Sequence, residues 1–386
     1  MASIPGLITM LSELVASPSV SSTMAALDQG NLGVILKLEE WLSRLGFRTE
    51  VLPIAGHAGK ANLIATLGQG PGGLVLAGHT DTVPYDESLW RSDPLRLTER
   101  DQRLYGMGTC DMKGFFPLAI TAASEVAGQA LQQPLIVLAT ADEESSMAGA
   151  EALIELGRPR ARYAVIGEPT SLRPVRQHKS ILMESIVVQG RSGHSSDPSL
   201  GNSALEAMHA VIGRLLQYRE QLQREHVNPG FAVSVPTLNL GCIHGGDNPN
   251  RICGRCELHF DARLLPGMSN GQVRAELAAI AAQVGAERGI DITLHQLIHG
   301  VEAFAEREDS ALVDAARQLT GHSPEAVAFA TEAPYLQSLG METLVLGPGA
   351  VAQAHQPDEY LALDTVEPFL QVLRGLIRRF CLHPGH

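Results

Sequence analysis

Apolar positions in the first 180 residues alternate between two periods. Segments 7–16 and 34–45 carry apolar residues at helical spacing and predict amphipathic helices. Segments 63–67, 74–77, 135–139 and 163–166 are short apolar runs bounded by Gly, Pro or charge, the signature of buried strands. Further helices are expected at about 115–125 and 147–156. Strands that alternate with helices indicate an α/β layer built on a largely parallel sheet.

Near residue 180 the texture changes. Segment 183–189 (MESIVVQ) alternates strictly, a helix follows at 203–224, and strands are expected at 237–240 and 257–263. A helix at 271–284 and a strand at 291–294 complete a β-α-β-β-α-β order, which is that of a small ferredoxin-like unit. After residue 300 the first pattern returns, with a helix at 310–318, a strand at 343–346 and a helix at 365–380. The chain therefore reads as a discontinuous α/β domain (1–180 and 298–386) with a mixed, mostly parallel sheet. An α+β domain is inserted at 181–297.

Composition narrows the function. The chain has 386 residues, 45% hydrophobic and 18% charged, as expected of a globular protein with a substantial core. Its 29 Lys and Arg against 42 Asp and Glu leave a net charge of −13, with no basic block, which argues against nucleic acid and anionic membranes as partners. Apolar runs such as 134–141 fall far short of the roughly 20 residues that a membrane span needs. The first Lys or Arg is Lys37, so the N-terminal stretch lacks the charged region of a signal peptide and reads as part of the mature fold. Five cysteines, an odd number in a long chain, fit a reducing cytoplasm better than a disulfide framework.

The chemistry gathers at the C-terminal ends of the expected strands, where open α/β sheets place their ligand sites. Gly78-His79-Thr80-Asp81 follows one run; in an extended backbone His79 and Asp81 would share a side, and the carboxylate could fix the imidazole tautomer. A glycine-rich turn, Gly106–Gly114, presents Asp111 before a helix. Asp142-Glu143-Glu144 follows PLIVLATA, Gly167-Glu168-Pro169 follows YAVI, and His355 lies in a loop after LVLGPG. Clustered carboxylates repel unless cations neutralise them, and two His with three carboxylates suit a pair of zinc-like ions. A second Glu beside a ligand Glu offers a general base for water activated by the metals.

The stretches YGMGTCDMKGFF, TADEESSMAGA, IGEPTSLRPVR, GRSGHSSDP, GGDNPNRICGRCELHFDARLLPGM, TEAPYLQ and LVLGPGAVAQAHQPDEYL make the chain similar, almost end to end, to the dinuclear metallohydrolase family of deacetylases, desuccinylases, aminoacylases and glutamate carboxypeptidases. Within it, TEAP and AHQPDEY resemble the acetylornithine branch. The resemblance implies His79 and Glu168 on one zinc ion, Glu144 and His355 on a second, and Asp111 bridging, with cobalt as a substitute metal. It implies Asp81 orienting His79, and Glu143 as general base and acid. His194 of the inserted domain would polarise the substrate carbonyl, often from a partner subunit, so that domain would dimerise the protein. Asn250, Arg251 and Arg263 match positions near the substrate. The family often has Asn-x-x-Pro where this chain has Asn250-Arg251-Ile252-Cys253, a departure that concerns the loop rather than the metals. The implied reaction is deacetylation of N²-acetyl-L-ornithine to L-ornithine and acetate, in arginine biosynthesis. Related acyl-amino-acid amidases are the runner-up. An inactive relative would be expected to lose a ligand or Glu143, and all are present. An Arg fork at 251 or 263 suits the α-carboxylate, and Glu332 in TEAP either accepts the substrate ammonium or simply starts a helix before Pro334.

Three other motifs compete. Gly68, Gly70 and Gly73 match G-x-G-x-x-G, but a second strand follows instead of a helix, so a hairpin turn is expected. Cys253-x-x-Cys256 with His259 has no partner pair and reads as small buried residues rather than a zinc knuckle. Cys110 lacks an evident His base for a nucleophilic role.

Overall fold

The structure, a computed structural model, describes residues 4–382. It divides into two compact units. The first holds the chain up to Arg176, Glu306–Glu325 and the chain from Thr331; the second holds Gln177–Ala305 and Ala326–Ala330. The expected insertion, 181–297, lies within the second unit, which is longer at both ends. Phe304–Ala305 pairs antiparallel with His178 and Gln177, and the Lys179 N–H donates to the Val327 carbonyl at 3.3 Å. The outermost residues of the other expected segments, 1–3 and 383–386, lie outside the described residues.

In the first unit the main sheet runs in the order Arg48–Pro53, Ala61–Leu67, Leu135–Thr140, Leu74–His79, Tyr163–Ile166, Glu342–Val345. The first three strands are antiparallel and the last four parallel. Every residue of Leu74–His79, Leu135–Thr140 and Tyr163–Ile166 is buried, as helix cover on both faces demands. Helices Leu32–Arg44, Phe115–Ser124, Ala311–Thr320 and Val366–Ile377 supply apolar faces to one core with Leu76, Val137, Val165 and Leu344.

The expected hairpin at 68–73 is not formed. Strand Leu135–Thr140 lies between the two strands that this turn joins, antiparallel to one and parallel to the other. The glycines serve a crossing instead. Gly68, Gly70, Gly72 and Gly73 all have positive φ, and a Cβ on Gly73 would lie 2.1 Å from the Pro134 carbonyl oxygen.

The sequence pattern shows no sign of a small three-stranded sheet, Thr98–Arg100, Arg103–Tyr105 and Tyr360–Ala362. Tyr360 pairs antiparallel with Tyr105, so the residues before one strand lie beside those after the other. This brings the loop at 355–359 against the glycine-rich turn that carries Asp111.

The second unit has the expected β-α-β-β-α-β order. Its antiparallel sheet runs Thr237–Gly245, Arg255–Arg263, Leu182–Gln189, Asp291–Gln296, covered on one face by helices Ala204–Glu225 and Asn270–Arg288. Ser203 caps the first helix by accepting the Glu206 N–H. Ile186, Val188, Leu258, Phe260, Val211 and Leu277 form its core. Among the described residues, no helix is long and apolar enough to cross a membrane.

Candidate metal centre

Strands Leu74–His79 and Tyr163–Ile166 lie side by side with Ala77 opposite Ile166, so His79 and Glu168 leave one sheet edge together. The residue before each is glycine for a packing reason. A Cβ on Gly167 would lie 2.0 Å from Phe115 Cδ2, and one on Gly78 2.5 Å from Met112 Cε. The turn carrying Asp111 and the helix Phe115–Ser124 can therefore close directly onto the two strand ends.

His79 is 1% exposed. Its Nδ1 lies 3.0 Å from the Asp81 backbone carbonyl, which can only accept, so Nδ1 carries a proton and Nε2 is the nitrogen turned to the carboxylates. That Nε2 lies 3.1 Å from Asp111 Oδ1 and 3.8 Å from Glu168 Oε1. The other oxygen of Asp111, Oδ2, lies 3.3 Å from His355 Nε2, which in turn lies 3.0 Å from Glu144 Oε1. One carboxylate thus faces two imidazoles with different oxygens. Donor atoms of His79, Asp111 and Glu144 lie within 4.8 Å of one another, as do those of His79, Glu143 and Glu168. The second group contains Glu143, which sequence reasoning kept off the metals. The His355 side chain is half exposed and opens the cluster to solvent.

The electrostatics call for cations. Burial and neighbouring carboxylates push Glu143, Glu144 and Glu168 above the usual carboxylate range. Burial would raise Asp111 too, but hydrogen bonds with His355 and His79 hold it low. Contact with Asp111 and Glu144 raises His355 to about 10. Burial opposes charge on His79, yet Asp111 and the surrounding acids hold its pKa well above the ordinary value. Glu168 Oε1 is buried without a hydrogen-bond partner. Two imidazole nitrogens, a carboxylate shared between them and further carboxylates form a donor set that fits a pair of zinc-like divalent cations.

Asp81 departs from the expected geometry. The strand ends at His79, and the imidazole is held by the Asp81 carbonyl while the carboxylate oxygen stands 3.7 Å away. The carboxylate instead accepts the Glu144 backbone N–H at 3.0 Å. It therefore holds the Glu143–Glu144 turn, and reaches His79 by a hydrogen bond through its main chain and by charge through its carboxylate.

Sequence reasoning missed the other grip on that turn. Asp142 adopts φ +61° and accepts from the buried Lys60 ammonium at 2.7 Å and from the Ser21 hydroxyl at 2.8 Å. Lys60 also reaches Asp28 at 2.7 Å. These partners lie 82 and 121 residues from Asp142, so no local pattern announces them. Glu332 lies at the start of helix Ala333–Ser338, with its carboxylate buried. That carboxylate accepts from the Thr140 hydroxyl at 2.9 Å while Oε1 has no partner. Burial pushes it up to about 7.

The remaining candidates belong to the second unit. His194 forms a bridge with Arg251, and the Ser195 N–H donates to the Asn250 carbonyl at 3.1 Å, so these residues share one exposed region. The Ser196 N–H donates to His194 Nδ1 at 3.2 Å, which leaves the neutral ring's proton on Nε2. Arg251 is paired with Asp247. Arg263 is not brought to this region: it ends the strand Arg255–Arg263, and its Nε faces both oxygens of Asp261 at 3.0 Å. Cys256 is in the core, and His259, three residues on, points to the opposite sheet face, so the two cannot share an ion. Burial holds the Cys110 thiol well above its ordinary pKa, against a nucleophilic role.

Fold and site define a hydrolase-type α/β unit with a cluster of His and carboxylates at the strand ends. Residues 75–379 match the Peptidase family M20/M25/M40, and the chain belongs to that family of metal-dependent hydrolases. Solved structures of similar fold include a tripeptidase from Staphylococcus aureus, 19% identical with a TM-score of 0.73 over 97% of this chain and 98% of that one. An M20 family metallo-carboxypeptidase from Sulfolobus solfataricus is 17% identical with a TM-score of 0.76, over 98% and 99% of the two chains. A dinuclear metal-binding peptidase of the M20 family from Bacillus subtilis is 16% identical with a TM-score of 0.67, over 96% of each.

Proposed function

We propose that the protein is a two-zinc amidohydrolase, able to take cobalt instead, that deacetylates N²-acetyl-L-ornithine to L-ornithine and acetate in arginine biosynthesis. The observation that carries the metal reading is Asp111, whose two oxygens face His79 and His355 separately. His79, Asp111, Glu144, Glu168 and His355 would hold the ions, with Asp111 shared. When bound, such cations polarise the scissile carbonyl and acidify a water molecule. Glu143 takes the proton from the attacking water and delivers it to the leaving amine. A carboxylate next to the ligand Glu144 and close to His79 and Glu168 is placed to hold a proton between the two steps. His194 donates its Nε2–H to the carbonyl oxygen as negative charge develops there.

For the substrate, Arg251 would take the α-carboxylate, with Asn250 nearby; Arg263, paired with Asp261 at the end of its strand, is the weaker candidate. The unpartnered oxygen of Glu332 would accept the terminal ammonium. The exposed edge strand Thr237–Gly245, with Ile243 and the neighbouring Leu205 in solvent, supports dimerisation through the second unit. Five unpaired cysteines support a cytoplasmic setting.

The test is a panel of substrates offered to the zinc- and cobalt-loaded protein: N²-acetylornithine, acetylcitrulline, acetylmethionine, succinyl-diaminopimelate and a dipeptide. Peptides belong in it because the similar solved structures include peptidases. The reading requires the highest kcat/KM on N²-acetylornithine; preference for another member replaces it. Glu332→Gln should cost about 10- to 100-fold more on acetylornithine than on acetylmethionine, the scale of a charge-assisted hydrogen bond. Equal losses would reject Glu332 as the reader of the ammonium.

A further inference from the structure

Glu359 sits inside the loop that presents Asp111 and is 1% exposed. Its Oε1 accepts the backbone N–H groups of Cys110 at 2.7 Å and Asp111 at 2.9 Å, and its Oε2 accepts that of Gly108 at 3.2 Å. The Glu359 carbonyl accepts the Gly106 N–H at 3.1 Å. Backbone N–H groups converging on one acceptor form a nest, and here the acceptor is a carboxyl group of the chain itself. Gly108 makes the nest possible with φ +77°, a turn that L side chains rarely adopt. The fully buried Lys113, on the same loop, adds a favourable electrostatic interaction with the carboxylate.

Geometry ties this clamp to the metal centre from both sides. Glu359 holds the N–H of Asp111 itself, and it lies four residues after His355, the imidazole that faces Asp111 Oδ2. Pairing of Tyr360 with Tyr105 fixes the loop at 355–359 against the turn at 106–111. One short loop therefore supplies an imidazole to one end of Asp111 and locks the main chain at the other.

We propose that Glu359 is the positioning residue for Asp111, holding its peptide so that the two carboxylate oxygens face His79 and His355. This rests on the reading of Asp111 as the shared ligand. A Gln at 359 would keep one acceptor oxygen but turn an N–H₂ group towards a backbone N–H, so the nest would no longer close.

Zinc binding decides the matter, measured by competition with a chromophoric chelator for wild type, Glu359→Gln, Glu359→Asp and Asp111→Asn. Melting temperatures without and with zinc are recorded alongside. Residues that orient ligands typically govern 10- to 100-fold in metal affinity, so Glu359→Gln should bind zinc that much more weakly and show a smaller zinc-induced rise in melting temperature. Glu359→Asp, which keeps both acceptor oxygens but falls short of the nest, should lie between. Wild-type zinc affinity in folded Glu359→Gln overturns the proposal. So does a lower melting temperature with an unchanged zinc-induced rise, or failure of both variants to fold, since either makes Glu359 a residue of the fold alone. Two tightly bound ions in Asp111→Asn would refute the metal reading instead, whatever the Glu359 variants do.

Discussion

The backbone N–H of Glu144 donates to the carboxylate of Asp81 at 3.0 Å. This bond links the strand end that carries His79 to the turn that carries Glu143 and Glu144, so Asp81 aligns both halves of the site. Asp81→Asn keeps an acceptor oxygen but loses the charge. It should lower turnover about 10- to 100-fold at saturating zinc. Unchanged turnover would show that the bond aligns nothing that matters.

The role proposed for Glu143 separates proton transfer from metal binding. Glu143→Gln is nearly isosteric and should keep its metal while losing about 10²- to 10⁴-fold in kcat. Steady-state rates with parallel metal analysis check this. The proximity of Glu143 to His79 and Glu168 supplies the rival outcome, since loss of an ion in the Gln variant would make Glu143 a ligand.

The proposed donation by His194 would come from Nε2, because the Ser196 N–H donates to Nδ1. His194→Ala should lose about 10²- to 10³-fold in rate, the value of one oxyanion donor. Mixing inactive His194→Ala with inactive Glu143→Gln under subunit exchange tests whether the donor comes from a partner. Recovered activity in mixed dimers supports a shared site, and none supports donation within one chain.

The ligand candidates were legible because each ends an apolar run or follows a glycine turn: His79 after LVLAG, Glu168 after YAVIG, Asp111 in the turn before helix Phe115–Ser124. Contacts that orient those ligands were not. Lys60 reaches Asp142 across 82 residues and Glu359 reaches Asp111 across 248, and both act through main-chain or charge contacts that leave no periodic trace. Strands Thr98–Arg100 and Arg103–Tyr105 are too short to show a period. The turn at 68–73 has the composition of a hairpin, but the strand inserted beside it is the distant Leu135–Thr140, and local chemistry does not see that pairing. For Asp81 the sequence shows the shared side but not the second partner: one carboxylate oxygen stands 3.7 Å from His79 Nδ1, while the carboxylate also accepts the distant Glu144 N–H.

A buried histidine gives the second unit a pH dependence. His178 donates from Nδ1 to the Lys179 carbonyl at 2.9 Å, packs on Phe304, and burial lowers its pKa to about 4. The unfolded chain takes up a proton near pH 6.5 that the folded chain refuses. Stability is therefore complete above about pH 6.5, falls as the pH drops towards 4, and changes no further through this group below that. Between pH 7.5 and 5 the loss should be about 2 kcal/mol. Urea unfolding of wild type and His178→Asn at both pH values checks it: the difference in unfolding free energy between the two proteins should shift by that amount. A pH-independent difference would contradict the assignment.

The most direct test of the metal centre is the metal content of Asp111→Ala after zinc loading and gel filtration, measured by plasma emission beside the wild type. A carboxylate shared between two ions predicts two zinc ions per wild-type chain and loss of both in the variant, with the fold retained by circular dichroism. Two zinc ions per chain in Asp111→Ala, or none in the loaded wild type, would contradict it.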